Sequence, residues 1–313
     1  MLDVVSKAAF AMLAGSGTLQ RLASRYGMRR NGFARRFVAG ETSEEAIAAA
    51  RVIEQLGSTV TLDLLGESVT SAAAASDATA AYVALIDDAA RAGISRNISL
   101  KLTQLGLDVD RATTIDNLRR VLGAADRHDF FVRIDMEHSA YTEATLQTFE
   151  TVWGIGHRRV GVVIQSCLRR SMEDVRRLTA IGAPVRLVKG AYREPADVAY
   201  QRKADVDAAF VELMQALLAA GAPTAVATHD PALITAARGF AAARGVAKDA
   251  FEFQMLYGIR RDLQAELVKD GYRLRVYVPF GREWFPYFMR RLGERPANVG
   301  FVLRGLLHER RPA

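Results

Sequence analysis

An alternation repeated eight times constrains this chain more than any other feature. After Gly57, short apolar runs rich in β-branched residues lead into longer stretches of helical period. The runs are Thr59–Leu65, Asn97–Leu102, Phe130–Met136, Val160–Gln165, Val185–Val188, Thr224–Thr228, Phe251–Leu256 and Tyr272–Pro279. Between them lie Ala-rich amphipathic segments such as SDATAAYVALIDDAARAG and ADVDAAFVELMQALLAAG, with Gly93, Pro184 and Pro223 at joins. Strands joined by helices pair in parallel, because only a long crossover brings the chain back in the same direction. Eight such units over roughly 240 residues predict a (β/α)8 TIM-type barrel. A doubly wound open sheet carries the same alternation, and the count of eight favours the barrel. Residues 1–55 read instead as extra N-terminal helices. Thr42-Ser43-Glu44-Glu45 supplies an N-cap hydroxyl and an acidic first turn to AIAAARVIEQLG. The expected organisation is a helical segment, 1–55, packed on a barrel, 56–313.

Composition narrows the function classes. Half of the 313 residues are hydrophobic and a quarter are charged, which excludes disordered and fibrous chains. The formal charge of +7 comes almost wholly from arginine, 36 against 6 lysines, spread along the whole length. A nucleic-acid footprint would gather on one face or arm, so no nucleic-acid partner is expected. Cys167 is the only cysteine, which forbids internal disulfides and suits a reducing compartment. Asp3 stands where a signal peptide would carry basic residues, and no run approaches the roughly 18 apolar residues of a membrane span. A cytoplasmic location is expected. No G-x-G-x-x-G opens a helix after a strand and there is no P-loop, which argues against a Rossmann domain. Five scattered histidines include no H-x-H pair, and Glu137-His138 would diverge on a strand, so no metal site is expected.

In a barrel, chemistry sits where strands end. Lys101, Asp135, Gln165, Lys189, His229 and Tyr277 all fall near such ends, with Arg186 one turn of the pleat earlier. A charge carried into a low-dielectric barrel costs several kcal/mol unless it is paired. These residues therefore either point outward under helices, form a mutual salt-bridge cluster, or line a ligand site; as a set, they favour the ligand site. The last segment, WFPYFMRRLGERPANVGF, places Phe285, Phe288, Met289 and Leu292 on one helical face and Tyr287, Arg290, Arg291 and Glu294 on the other. The ordinary reading of the second stripe is a solvated outer face. Two adjacent guanidiniums beside the mouth, however, are suited to gripping one carboxylate. Taken alone, the residues also fit a Schiff-base aldolase, whose chemistry uses a lysine such as Lys189 or Lys101 at a strand end.

RLVKGAY at Arg186–Tyr192, ATH at Ala227–His229, FEFQMLYG at Phe251–Gly258 and YFMRRLGE at Tyr287–Glu294 together resemble the proline dehydrogenase family. The resemblance runs in register from about Leu62 to Arg304. It implies a distorted (βα)8 barrel that uses FAD to oxidise L-proline to Δ1-pyrroline-5-carboxylate, with hydride passing to flavin N5 and electrons to a quinone. By position, Asp135 and Arg186 match residues usually called catalytic, with Arg186 near the flavin. Arg290, Arg291 and Lys101 would hold the substrate carboxylate, Tyr277 and Tyr287 would pack its ring, and Glu294 would brace an arginine. Met136, Gln165, Lys189, Gly190, Ala191, Tyr192, Thr228, His229 and Gln254 would line the FAD. The size of Tyr277 suits unsubstituted proline. A quinone acceptor further implies peripheral contact with the inner face of the cell membrane, while the oligomeric state is left open.

Overall fold

Alternation inside each run decides which side chains enter the barrel. Along a strand, successive side chains point to opposite faces, so Thr59-Val60-Thr61-Leu62-Asp63-Leu64 sends Thr61 and Asp63 one way and Val60 and Leu62 the other. The computed structural model describes Met28 and residues 32–294, and the helices expected before residue 28 lie outside those residues. Its strands are β1 (Thr59–Leu64), β2 (Asn97–Leu100), β3 (Phe131–Ile134), β4 (Val160–Gln165), β5 (Val185–Val188), β6 (Thr224–Ala227), β7 (Phe251–Leu256) and β8 (Arg273–Phe280). They close into one parallel barrel in sequence order. Each falls within a residue or two of its expected run. The main difference is at β2, which stops at Leu100 because Leu102–Leu105 turn into a short 3-10 helix.

The helices are α1 (Ser43–Gln55), α2 (Ala72–Ala92), α3 (Arg111–Arg127), α4 (Thr142–Gly154), α5 (Ser171–Ala180), α6 (Lys203–Ala219), α7 (Pro231–Ala243), α8 (Arg261–Lys269) and α9 (Trp284–Glu294). Thr42 caps α1 by accepting a hydrogen bond from the Glu45 amide, as its sequence predicts. The strand residues that face outward are almost all apolar. Val60, Leu62, Ile98, Leu100, Val132 and Ile134 join Leu85, Ile86, Leu118 and Phe149 of the helices in one continuous core. The hydrophobic core is therefore the annulus between sheet and helices.

The distortion lies at the eighth unit. α1, not α9, packs against β1 and β8, and its Ala46, Ile47 and Ala50 belong to the main core. The preceding strand-like segment ties it there, with the Ala39 amide on the Pro279 carbonyl and the Gly281 amide on the Gly40 carbonyl, both at 2.9 Å. Helix α9 instead forms a second apolar cluster. Trp284, Phe285, Phe288, Met289 and Leu292 pack with Met28, Ala34, Phe37, Val38 and Leu65. With α1 occupying the outer wall, the last helix is released to lie at the barrel mouth.

The barrel interior is polar, unlike the branched aliphatic layers usual in this architecture. At its floor, Glu252 pairs with Arg275 at 2.9 Å. The buried Arg133 donates to the carbonyls of Val162 (3.2 Å) and Pro184 (2.8 Å) and lies 4.8 Å over the Phe131 ring. Arg275 in turn donates to the Val60 carbonyl at 2.8 Å. Room for Arg133 exists because residue 161 is glycine. A methyl there would meet Arg133 Nη1 at 2.5 Å, the Pro184 carbonyl oxygen at 2.6 Å and the Phe131 ring at 2.8 Å. Gly161→Ala is expected to lower unfolding stability by about 1–3 kcal/mol, the usual penalty of overpacking. A urea midpoint equal to wild type would contradict this account of the floor.

Candidate active site

Above the floor, side chains from four strands meet. Arg186 of β5 reaches across to Asp135, just past β3, with Nη1 2.6 Å from Oδ1, and its Nη2 donates to Ser99 Oγ of β2 at 2.9 Å. Tyr277 of β8 donates to the other carboxylate oxygen of Asp135 at 2.7 Å, and the Arg186 guanidinium lies 5.3 Å from the Tyr277 ring centre. Ser99 also touches Thr61 Oγ1 of β1 at 3.2 Å. The Asp135–Arg186 pair has side-chain exposures of only 13% and 5%, so water contributes little to solvating either charge. Burial, and then the Asp135 carboxylate, push the Tyr277 phenol well above the ordinary tyrosine value. It serves as a hydrogen-bond donor at any physiological pH.

Beside this triad, Lys101 follows β2 and its Nζ lies 3.7 Å from Asp63 of β1. Burial works against the ammonium, but the carboxylates of Asp63 and Asp135 outweigh it and hold the Lys101 pKa above the lysine norm. Burial pushes the Asp63 carboxyl up, with Lys101 opposing. Glu137 is likewise raised by burial, although it accepts from the Thr103 amide and hydroxyl at 3.2 and 2.6 Å. On α9, Arg290 pairs with Glu67 of the loop after β1 at 2.9 Å. Burial alone would raise Glu67, but Arg290 lowers it. Arg291 and Tyr287 are both buried, with the guanidinium 5.1 Å from that ring's centre. The second stripe of α9 is therefore not a solvated face. Glu294 closes the helix, and its side chain lies outside the described residues.

The remaining expected residues gather along the rim from β4 to β7. Gln165 Nε2 donates to the carbonyls of Met136 (3.2 Å) and Glu137 (2.7 Å). Lys189 is held by Asp207 at 2.6 Å and Asp230 at 2.9 Å. Gly190 has φ +105°, where a Cβ would also strike Cys167 Sγ, so this turn admits only glycine. Thr228 Oγ1 accepts from the Asp230 amide at 3.1 Å, and His229 Nε2 accepts from the Leu256 amide at 2.8 Å. Ala191 lies between Gly190 and Tyr192. The Tyr192 ring lies against His138, centres 4.0 Å apart and planes tilted by 46°, in the field of Glu67 and Arg290. Its phenol is pushed up to about 12, by burial and then by Glu67. Gln254 Oε1 and Arg186 Nε are buried with no hydrogen-bond partner among the described residues.

The structure thus brings Lys101, Asp135, Arg186 and Tyr277 together within the strand ends, with Arg290 and Arg291 on the helix at the mouth. It adds Asp63, Ser99, Glu67 and Glu137, which a scan of final strand positions passes over. Asp63 and Ser99 were signalled by period-two alternation, since they share parity with Thr61 and Lys101 along their runs. Glu67 sits in a loop and had no such signal. No group of three or more potential metal ligands occurs among the described residues.

Comparison with known proteins adds to this geometry. The family model described as "Proline dehydrogenase" matches residues 46–304. The chain is 45% identical to a "Proline dehydrogenase" of Deinococcus radiodurans over 278 residues, 88% of this chain and 90% of that protein. It is 42% identical to "Proline dehydrogenase 1" of Bacillus subtilis, covering 95% and 98%. Among solved structures it resembles proline utilization A from Bdellovibrio bacteriovorus inactivated by N-propargylglycine, with a TM-score of 0.79 and 28% identity. That match covers 90% of this chain and 34% of the larger one.

Replacing Asp135 with Asn would leave Arg186 deeply buried without its charged partner. Stability is expected to fall by about 3 kcal/mol or more, as when one member of a buried pair is removed. Chemical denaturation checks this, and a loss below roughly 1 kcal/mol, the level of a surface pair, would mean that the pair is effectively solvated.

Proposed function

From the premise that this chain belongs to the proline dehydrogenase family, and so oxidises proline in the first step of proline catabolism, we propose how it does so: L-proline gives up a hydride to bound FAD, yielding Δ1-pyrroline-5-carboxylate, and the electrons leave to a quinone. The observation that carries this reading is the set of cations at the barrel mouth, with Arg186 over the Tyr277 ring, Lys101 and Arg290 sharing the field of Glu67 and Tyr192, and Arg291 buried beside Tyr287. Arg290, Arg291 and Lys101 grip the substrate carboxylate from two sides. Two planar guanidiniums and an ammonium offer several charge-assisted hydrogen bonds to one anion. Tyr277 packs the pyrrolidine ring, its hydroxyl locked on Asp135 and therefore unable to swing into the substrate's place. Tyr287, buried beside Arg291, forms the other apolar contact. Fixing one end of a five-membered ring fixes the opposite carbon, and such positioning is worth several kcal/mol of a barrier.

Residues of the β4–β7 rim fit a flavin. Buried Gln254 Oε1 and Arg186 Nε lack partners among the described residues, and a large polar ring system is the kind of group that would supply them. Met136, Gln165, Arg186, Lys189, Gly190, Ala191, Tyr192, Thr228, His229 and Gln254 would hold it. When bound, FAD supplies the hydride acceptor. Arg186, fixed by Asp135 and Ser99, places a permanent positive charge beside the site, where it favours negative charge arriving on reduction. Lys101 and the two arginines also disfavour the substrate's ammonium form, promoting loss of the amine proton that must precede hydride departure. The aldolase reading finds less support, because Lys101 and Lys189 are each engaged by carboxylates and neither stands free to attack a carbonyl.

Electron transfer to a quinone calls for contact with a membrane surface. We place the protein in the cytoplasm with peripheral contact at the membrane's inner face; no helix among the described residues is long and apolar enough to cross a membrane.

Three outcomes test the reading. Purified protein should show a flavin absorption band that bleaches on anaerobic addition of L-proline, and a colourless preparation inert to proline would refute it. Arg291→Met should raise the proline KM at least tenfold while flavin stays bound, and unchanged affinity for proline and for carboxylate analogues would remove the clamp. The reductive half-reaction should accelerate with rising pH as the substrate amine deprotonates, whereas a flat profile would show that the cations do not act on it.

A further inference from the structure

The charges around Lys101 do not divide evenly. Lys101 stands in the field of Asp63, Asp135, Glu67, Glu137 and the Tyr192 phenol. Four of these are engaged elsewhere. Asp135 is bound by Arg186 and Tyr277, Glu67 by Arg290, Glu137 by Thr103, and the Tyr192 ring packs tilted against His138. Asp63 differs. Its side chain has no exposure at all, and neither oxygen has a hydrogen-bond partner among the described residues. The Tyr277 hydroxyl and the Arg186 guanidinium lie near enough to pull its carboxyl down, but the hydrogen bonds they form go to Asp135 and Ser99. Lys101 Nζ, at 3.7 Å, is its only ion-pair partner among the described residues.

A carboxylate placed so deep is not tolerated without a reason, because an uncompensated buried charge is among the costliest features a fold contains. Zero exposure also decides how it acts. Of the buried pair only Lys101 has any exposed surface, 9% against none for Asp63, so a molecule entering the mouth can reach the ammonium and not Asp63. We propose that Asp63 is a positioning residue that fixes the Lys101 ammonium from beneath, keeping it charged and aimed at the substrate carboxylate. The assignment rests on the functional reading above, in which Lys101 is part of the carboxylate grip. An ammonium has three donors, so anchoring one side to Asp63 leaves the others for an incoming anion.

The sign of the pH effect follows. With Asp63 present, its negative charge keeps Lys101 protonated through the neutral and alkaline range. In Asp63→Asn the burial remains but the opposing charge is lost, so the ammonium gives up its proton at lower pH. The grip then weakens as pH rises. The expected result is a proline KM at least tenfold above wild type, with kcat at saturating proline within about threefold. The ratio of mutant to wild-type KM should climb from pH 7 to pH 10; taking the ratio cancels ionisation of the substrate itself. Binding of cyclopentanecarboxylate, an anion with no amine, should weaken in parallel. In a Lys101→Met background, adding Asp63→Asn should change KM no further.

A pH-independent KM ratio, or additive effects in the double variant, would overturn the proposal. Should Asp63→Asn not fold, Asp63→Glu keeps the charge one methylene away; its KM ratio should then shift in magnitude yet stay flat with pH, and a climbing ratio would overturn the idea equally. Wild-type protein that fails to oxidise proline would sink the functional reading itself. Wild-type activity combined with additive variants sinks only the role of Asp63.

Discussion

Pairing of buried charge is the constraint on which the rest of this structure depends. The barrel sends its apolar residues outward and encloses arginine, lysine, aspartate and glutamate, so each interior cation has to find an anion or a carbonyl within a few ångströms. Glu252 answers Arg275 at the floor, carbonyls of the strands answer Arg133, and Asp135 answers Arg186 higher up. Removing any one member leaves its partner stranded in a medium that solvates it poorly. The interior behaves as a connected ionic lattice more than as packing, and its exactness of placement is inherited by the mouth above it.

That lattice also separates what is fixed from what remains available. Asp135 spends both carboxylate oxygens on Arg186 and Tyr277, and Gln165 spends its amide on two carbonyls. These groups position their neighbours. Among the described residues, Gln254 Oε1 and Arg186 Nε keep unused bonding capacity, and Lys101 is held only at 3.7 Å by Asp63, at the level where a ligand would lie. A substrate grip and a flavin site fit the second class, held rigid by the first. Such an arrangement orients a small molecule without having to reorganise around it.

The departure from a regular barrel serves the same end. A final helix packed on the outer wall would carry Arg290 and Arg291 away from the strand ends. Here α1 occupies that wall, and α9 anchors through Trp284, Phe285 and Phe288 against Phe37 and Leu65. The apolar face of α9 thus secures the helix at the mouth, with Arg290 and Arg291 on its other face. Glu67 holds one of them at 2.9 Å.

Sequence by itself determined the barrel and the boundaries of its strands, because period-two and period-3.6 patterns are local and recur eight times. It also marked Lys101, Asp135, Arg186 and Tyr277, whose charge or polarity stands out in apolar runs. Local pattern could not say whether those residues point in or out, since either face of a strand has the same period, nor which charge answers which. Partners such as Arg186 and Asp135 are 51 residues apart, and Arg290 and Glu67 are 223 apart. Only closure of the barrel brings them within bonding distance. The place of the last helix was half legible, because following β8 put its start beside the mouth while its stripe reads the same on a solvated wall as over a mouth. What decided its place was competition for the outer surface of β8 and β1, won by a helix from the other end of the chain.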